Sequence, residues 1–401
     1  MSIDTGVSYY LDSTSGLWVA PGRSSLVARL APEPPPPTDP QAVRNAMVRG
    51  VDRPGPTNTG VFPDTTLVDV EAFAGQYYRT FSTANEVITG RRIWAQIRIG
   101  AAGVVFRNCH IAGPDPRLVP LGSQVGMVNA NGVNHRHVIF ENCTFDPSVW
   151  LGRGAPHLYR PPIYGFHGHD VTMRWCEIKN VPDGFNIVGI GDDGTLAQAQ
   201  AQIVDIDRCW IHGGLFANDL AAAGLTGPND FRVHADAFQI NTGKNITVRG
   251  CMLGGVRDPA GYQVWAFSNQ PTNDPTKGRN SGDDFWNSCF MIQQEVGDDI
   301  NRRVENVNIV DNFMNGGTVG MNIYYDVGKG PSNFFTTMTV ARNKFYSRVG
   351  KDYRSANRNG GLDTAYGGSG DYILRSPNIQ ALITGNTIYE TGAAITPRIG
   401  G

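Results

Sequence analysis

Apolar residues recur along this chain at alternate positions in short runs rather than at helical spacing, and one run returns eight times after its first copy. Its first full copy is Val104-Val105-Phe106-Arg107-Asn108-Cys109-His110-Ile111. Later copies end Asn142-Cys143-Thr144-Phe145, Trp175-Cys176-Glu177-Ile178, Arg208-Cys209-Trp210-Ile211, Gly250-Cys251-Met252-Leu253, Ser288-Cys289-Phe290-Met291, Asp311-Asn312-Phe313-Met314, Arg342-Asn343-Lys344-Phe345 and Gly385-Asn386-Thr387-Ile388. With the Cys or Asn as position zero, position −3 reads Phe106, Phe140, Met173, Ile206, Val248, Ile309, Val340 and Ile383, and position −5 is apolar in the same coils. Position +2 is apolar in every copy. Positions −5 and −3 keep the period of two of a strand, whereas the step of three from −3 to zero breaks it. The pattern therefore predicts a strand, a one-residue bend and a second strand in each coil, with the coils stacked in parallel and an inward column of six cysteines continued by three asparagines.

A second run fills the other half of each coil. Tyr164-Gly165-Phe166-His167, Asp183-Gly184-Phe185-Asn186, Asp236-Ala237-Phe238-Gln239, Trp265-Ala266-Phe267-Ser268 and Val319-Gly320-Met321-Asn322 align, with Val125-Gly126-Met127 as an earlier member. The Phe/Met column is expected inside. By alternation His167, Asn186, Gln239, Ser268 and Asn322 face outward as a polar stripe. Position −2 reads Arg107, Glu141, Arg174, Asp207, Arg249, a solvated ladder of alternating charge.

Composition agrees with many turns and few surface helices: 49 glycines in 401 residues and only 17% charged side chains. All-β is the expected class, and a solenoid can run this long as one body. A formal net charge of −2 gives no basic footprint for nucleic acid. No apolar stretch reaches the ~18 residues of a membrane span, and the start Met1-Ser2-Ile3-Asp4 lacks the pattern of a secretion signal. Cysteines at one repeat position read as a reduced, buried column rather than disulfides, and no Cys-x-x-Cys spacing suggests a metal.

Three parts are expected. Residues 1–31 carry strand-like runs (Gly6 to Leu11, Leu17 to Ala20, Ser25 to Leu30) and form a small attachment segment. Residues 32–56 are a Pro-rich linker in which Asp39-Pro40 signals a short capping helix from Gln41 to Arg49, closed by Gly50. Residues 57–401 form the solenoid. Its coils lengthen by insertions at 114–123, 147–162, 189–202, 213–232, 269–284, 326–335 and 346–370, where a solenoid builds a binding face.

Asp183 and Asp236 open equivalent strands of successive coils. Their ~4.8 Å rung spacing lies close to the ~5–5.5 Å between the carboxyls of a retaining glycosidase. Two such carboxylates should not both ionise freely, so one would titrate high and serve as general acid, with His234 supplying or orienting a proton. Against this stand two other readings: strand-opening Asp residues that hydrogen-bond turn amides, and sugar binding without turnover. His167, Asn186, Gln239, Tyr164 and Trp265 are the candidate substrate-binding residues, with Trp150, Tyr159, Trp286, Tyr324 and Tyr325 as further aromatics able to stack on sugar rings.

These columns resemble the right-handed parallel β-helix of pectin-lyase-like proteins over about residues 57–395. More narrowly, Gly55-Pro56-Thr57-Asn58-Thr59-Gly60-Val61 and His234-Ala235-Asp236-Ala237-Phe238-Gln239-Ile240 resemble segments of β-helix proteins of actinobacteria and their tailed phages. That resemblance implies a virion protein of the minor tail or tail-spike kind, made in the host cytoplasm. It also implies a homotrimer that binds a host surface polysaccharide and meets other tail proteins through its N-terminal segment. Its alternative is a polysaccharide-degrading hydrolase or lyase. Gly165-Phe166-His167-Gly168-His169-Asp170 and Pro182-Asp183-Gly184-Phe185 resemble polygalacturonase segments, but in reversed order and without an Arg-Ile-Lys partner. The pectate-lyase resemblance would bring Ca²⁺; Asp192-Asp193, Asp283-Asp284 and Asp298-Asp299 supply acids, but paired loop aspartates are ordinarily solvated, and no cofactor is expected.

Overall fold

The computed structural model describes residues 10–12, 17–19, 39–120, 125–131, 137–154, 164–181, 183–189, 194–212, 236–254, 288–294, 303–315, 319–325, 337–346, 372–376, 379 and 381–399. The chain divides into two compact units, Met1–Ala46 and Met47–Gly401. In the first, Tyr10–Asp12 and Leu17–Val19 pair antiparallel with Leu11 opposite Trp18. A helix follows at Pro40–Ala46, its first turn held by Asp39, whose Oδ1 accepts the Gln41 N–H at 3.0 Å. It stops short of the expected Arg49. From Met47 the backbone belongs to the second unit, where the Met47 carbonyl accepts from Arg208 Nη1 and Arg49 is clamped by both Asp207 oxygens.

The second unit is an all-β parallel solenoid of three sheets with nine, ten and ten strands, in each of which a strand pairs with the strand three further along the chain. One coil shows the cycle: Val105–Arg107 lies on the first face, His110–Ile111 on the second and Gly126–Ala130 on the third. The columns read from sequence are the pairing registers. Phe106, Phe140, Met173, Ile206, Val248, Ile309, Val340 and Ile383 follow one another on the first face, and Ile111, Phe145, Ile178, Ile211, Leu253, Met314, Phe345 and Ile388 on the second. The third face buries Phe166, Phe185, Phe238 and Phe290. Among these, Phe185 and Phe238 stack at 4.4 Å and 2°. The charges pair as a ladder, with Arg107 Nε 2.7 Å from Glu141 and Arg249 reaching Asp205 and Asp207, but Asp207 is buried rather than solvated.

The expected bend is a single left-handed residue at position −1. It is Gly90, Asn108, Asn142, Trp175, Arg208, Gly250, Asp311, Arg342 and Gly385 in successive coils, with φ between 49° and 64°. Non-glycine residues rarely adopt that conformation. The residue that follows supports it. Cys143, Cys176 and Cys251 direct Sγ at the carbonyls of Phe106, Phe140 and Ile206, the −3 position of the preceding coil. Asn312, Asn343 and Asn386 donate Nδ2 to the equivalent carbonyls of Val248, Ile309 and Val340, each at 2.9 Å. Their Oδ1 atoms accept the N–H groups of Cys251, Asn312 and Asn343.

Two registers differ from expectation. Cys289 is not in this column: Ser288–Gln294 lies on the third face, where Phe290 pairs with Phe238, so five cysteines and three asparagines make the ladder and Asn312 follows Cys251 directly. Ser-Cys-Phe-Met fits the Asp-Ala-Phe-Gln pattern as well as the Cys pattern, and only the missing left-handed residue separates them. Met127 is displaced by one residue, since Val128 rather than Met127 pairs with Phe166. Two adjacent apolar residues leave that register ambiguous in sequence.

The Gly55-Pro56-Thr57-Asn58-Thr59-Gly60-Val61 motif is the reversal of a strap laid along the coils. The segment passes Asp207 at Arg49 and Asp311 at Gly50, then reaches Tyr346 and Tyr389 with Arg53. It turns where Asn58 Oδ1 accepts the Gly55 N–H at 2.7 Å and Thr59 Oγ1 donates to the Gly55 carbonyl. It returns with the Gly60 N–H on the Trp175 carbonyl and the Val61 N–H on Thr144 Oγ1. A Cβ on Gly60 would stand 2.5 Å from Thr144 Oγ1.

The ladder predicts unequal costs. Asn343→Ala strips partners from the Ile309 carbonyl and the Asn312 N–H together, so urea unfolding should show a loss of about 3 kcal/mol or more. Cys251→Asn extends the amide run, because the Cys209 N–H already points at the Cys251 sulfur at 3.4 Å. Its midpoint should stay within about 1 kcal/mol of the parent.

Candidate functional site

The third face carries the predicted stripe in register. Asn129, His167, Asn186 and Gln239 succeed one another, followed by Met291 and Asn322. The expected place of Ser268 is taken by Met291, because the strand that pairs beyond Gln239 is Ser288–Gln294. His234 and Trp265 lie outside the described residues, as do Tyr159 and Trp286. Side-chain amides tie the stripe together along and across the coils. Asn131 Nδ2 is 3.2 Å from His167 Nε2, Asn241 Nδ2 donates to Asn186 Oδ1 at 3.3 Å, and Gln293 Nε2 donates to Asn241 Oδ1 at 3.2 Å. Tyr164 stacks on His167 with ring centroids 5.1 Å apart. Burial lowers the His167 pKa to about 4, so the ring is neutral at physiological pH.

Asp183, Asp236 and Ser288 form the adjacent column, all buried. Asp183 Oδ1 accepts the Asp236 N–H at 2.6 Å, and Asp236 Oδ1 accepts both the N–H and the hydroxyl of Ser288, at 2.8 and 2.5 Å. The two aspartates are thus neighbours, as their spacing predicts, and each uses an oxygen to hold the start of the next coil's strand. Burial, and then the nearby Asp236 charge, raise the Asp183 pKa well above the carboxylate range. The protonated form of Asp183 is therefore favoured over that of an ordinary carboxyl.

The second face holds a polar cluster that motif reading does not single out. His212 Nε2 lies 3.0 Å and Lys179 Nζ 3.1 Å from Glu177 Oε1, while Asp146 accepts from Asn180 at 2.8 Å. Glu177 and His212 occupy positions +1 and +3 of successive coils, so laying out the outward columns would have found them. Burial would raise Glu177, but the hydrogen bond from His212, followed by the charges of His212 and Lys179, holds it at about 2. Burial pulls His212 down despite Glu177, so at neutral pH a neutral imidazole donates and Lys179 supplies the balancing charge. The Gly60–Val61 return of the strap crosses this cluster through Thr144, whose hydroxyl lies 3.4 Å from Glu177 Oε2.

Among the described residues no group of three or more His, Cys, Asp or Glu side chains is placed to hold a metal, and no helix is long and apolar enough to cross a membrane. The acid pairs Asp192-Asp193, Asp283-Asp284 and Asp298-Asp299 lie outside the described residues.

Two titrations test these assignments. The folded pKa of Asp183 is raised, so its contribution to stability is complete below the unfolded value of 3.8 and is lost as pH rises. Asp183→Asn keeps an oxygen for the Asp236 N–H, and its melting temperature relative to the parent should climb as pH rises above about 4. A difference independent of pH would mean that the carboxyl is not held protonated. Glu177 behaves oppositely: its contribution is present above 4.5 and is lost as pH falls toward about 2. Glu177→Gln should therefore cost on the order of 2 kcal/mol near neutrality and progressively less in acid, as read by thermal melts.

No protein-family model, curated protein or solved structure matches this chain.

Proposed function

We propose that the solenoid recognises a polysaccharide of a bacterial surface along its third face, as a virion component of the minor tail or tail-spike kind. Residues 1–31 would join it to other tail proteins. The observation that carries this reading is the in-register stripe of uncharged hydrogen-bonding groups, Asn129, His167, Asn186 and Gln239, with Tyr164 stacked beside it. Amides and a neutral imidazole suit sugar hydroxyls, which offer both donors and acceptors at regular spacing. An elongated face of repeating rungs suits a repeating polymer. The resemblance to tailed-phage β-helix proteins supplies the virion setting and the homotrimer.

Cleavage of the bound glycan is the second reading, favoured by one observation: Asp183, its pKa raised by burial, lies directly beside Asp236. Binding is preferred because both carboxyls are buried and already committed to backbone groups of the next coil.

Purified protein should retain a wall or capsular polysaccharide in a pull-down without releasing reducing ends. Because His167 titrates at about 4, retention should be constant from about pH 5.5 to about pH 8. Gln239→Ala should lower affinity by about tenfold, the worth of one lost hydrogen-bonding side chain. Reducing ends that vanish in Asp183→Asn would establish cleavage instead. Immunogold labelling of purified virions tests the setting, and unlabelled tails would remove the virion assignment.

A further inference from the structure

A cleft of about 520 Å³ opens near the amino-terminal end of the solenoid, shares no residue with the third-face stripe, and is lined by aromatic and paired charged side chains. Its floor is rigid. Trp94 and Trp150 meet edge to face at 4.8 Å, and both indole N–H groups are used, on Asp69 Oδ1 and on the Ala112 and Gly113 carbonyls. Arg153 lies 3.6 Å over the Trp94 ring while its guanidinium binds Glu71 and Asp69. On the lip, Arg117 grips Asp115 through Nε and Nη2. Phe73 and Leu118 also line the cleft, and they remain 44% and 52% exposed.

We infer that this cleft is a second carbohydrate-binding site, which takes a short neutral oligosaccharide or the end of a glycan chain. The volume lies in the range of small-ligand sites. Each cation is matched by a carboxylate, with Glu71 and Asp115 balancing Arg153 and Arg117, so an anionic ligand gains no net field and would have to displace an existing pair. Hydroxyl groups need displace nothing. The bound carboxylates retain lone pairs and the guanidinium groups retain N–H groups, both in fixed planes that suit vicinal diols. Phe73, with Arg79 5.2 Å over its ring, and Leu118 remain partly exposed, and their exposed apolar surface suits the C–H face of a pyranose ring. Arg153 is already clamped between carboxylates and an indole, so little side-chain entropy would be lost on binding. Only the choice of ligand class rests on the glycan reading above; the site itself is separate.

The test uses the full chain on an array of neutral oligosaccharides of about four to six rings, with titration of tryptophan fluorescence on whichever are retained. Phe73→Ala and Arg117→Ala alter exposed side chains and should leave the melting temperature unchanged. Each should weaken binding of at least one oligosaccharide by tenfold or more and abolish its fluorescence change, while Gln239→Ala leaves that oligosaccharide bound. Oligosaccharides bound by the parent and held equally by both cleft variants would overturn the cleft and spare the glycan reading. Failure of the parent to bind any would overturn the cleft, while the polysaccharide pull-down decides the glycan reading. Melting temperatures measured in parallel exclude misfolding as the cause of a loss.

Discussion

A coil of parallel strands must turn its corners without leaving backbone groups unpaired inside, because a buried carbonyl or N–H with no partner costs about as much as several surface contacts contribute. In this solenoid the corner between the first and second faces meets that constraint with two consecutive residues. One takes left-handed φ and turns the chain. The next points inward and satisfies the carbonyl that the turn exposes on the coil before. Everything else follows from the repetition of that pair. The inward columns stay in register, the Phe stack on the third face falls ring over ring, and the residues between them form ladders and stripes of their own.

The same constraint separates what the sequence makes legible from what it hides. Period two broken by a step of three is visible at Phe106 and Cys109, so the fold class and most registers can be read directly. Cys289 misleads because an apolar run with a small second residue satisfies either half of the coil, and the deciding feature is a backbone angle. The strap is hidden for another reason. Arg49 on Asp207 and Gly60 on Trp175 are single contacts between segments far apart in the chain, with no period to betray them. Gly60 is glycine both because φ is 75° and because Thr144 fills the space a side chain would need, a requirement set entirely by the distant partner.

The candidate site divides along the same line. Adjacency of Asp183 and Asp236 is a matter of register and could be counted out. That each carboxyl is spent on the next coil's N–H depends on where the strand begins, and this changes the meaning of the pair. A carboxyl built into a ladder has its protonation set by burial and by the next carboxyl in line, whether or not a substrate is ever present. The raised pKa of Asp183 is therefore a property of the stack before it is a property of any chemistry. Glu177 makes the contrast. Largely buried in the second face, it is surrounded by donors instead of another acid, and it is driven the opposite way.

The switch from cysteine to asparagine along the corner column then has a physical reading. The early coils are nearly equal in length, with Cys143, Cys176 and Cys209 spaced 33 residues apart, and apolar columns alone keep such coils aligned. A thiol, with one weak donor, is sufficient there. From Cys251 onward the steps are 61, 31 and 43 residues. Coils of unequal length bring their strands back after connections of different numbers of residues, and a slip by one residue would turn every inward side chain outward. An asparagine fixes the register at that point by joining three backbone or side-chain partners at 2.9 to 3.0 Å across neighbouring coils. The amide column stands where the loops give least guidance, and it is what allows those coils to vary above a core that does not.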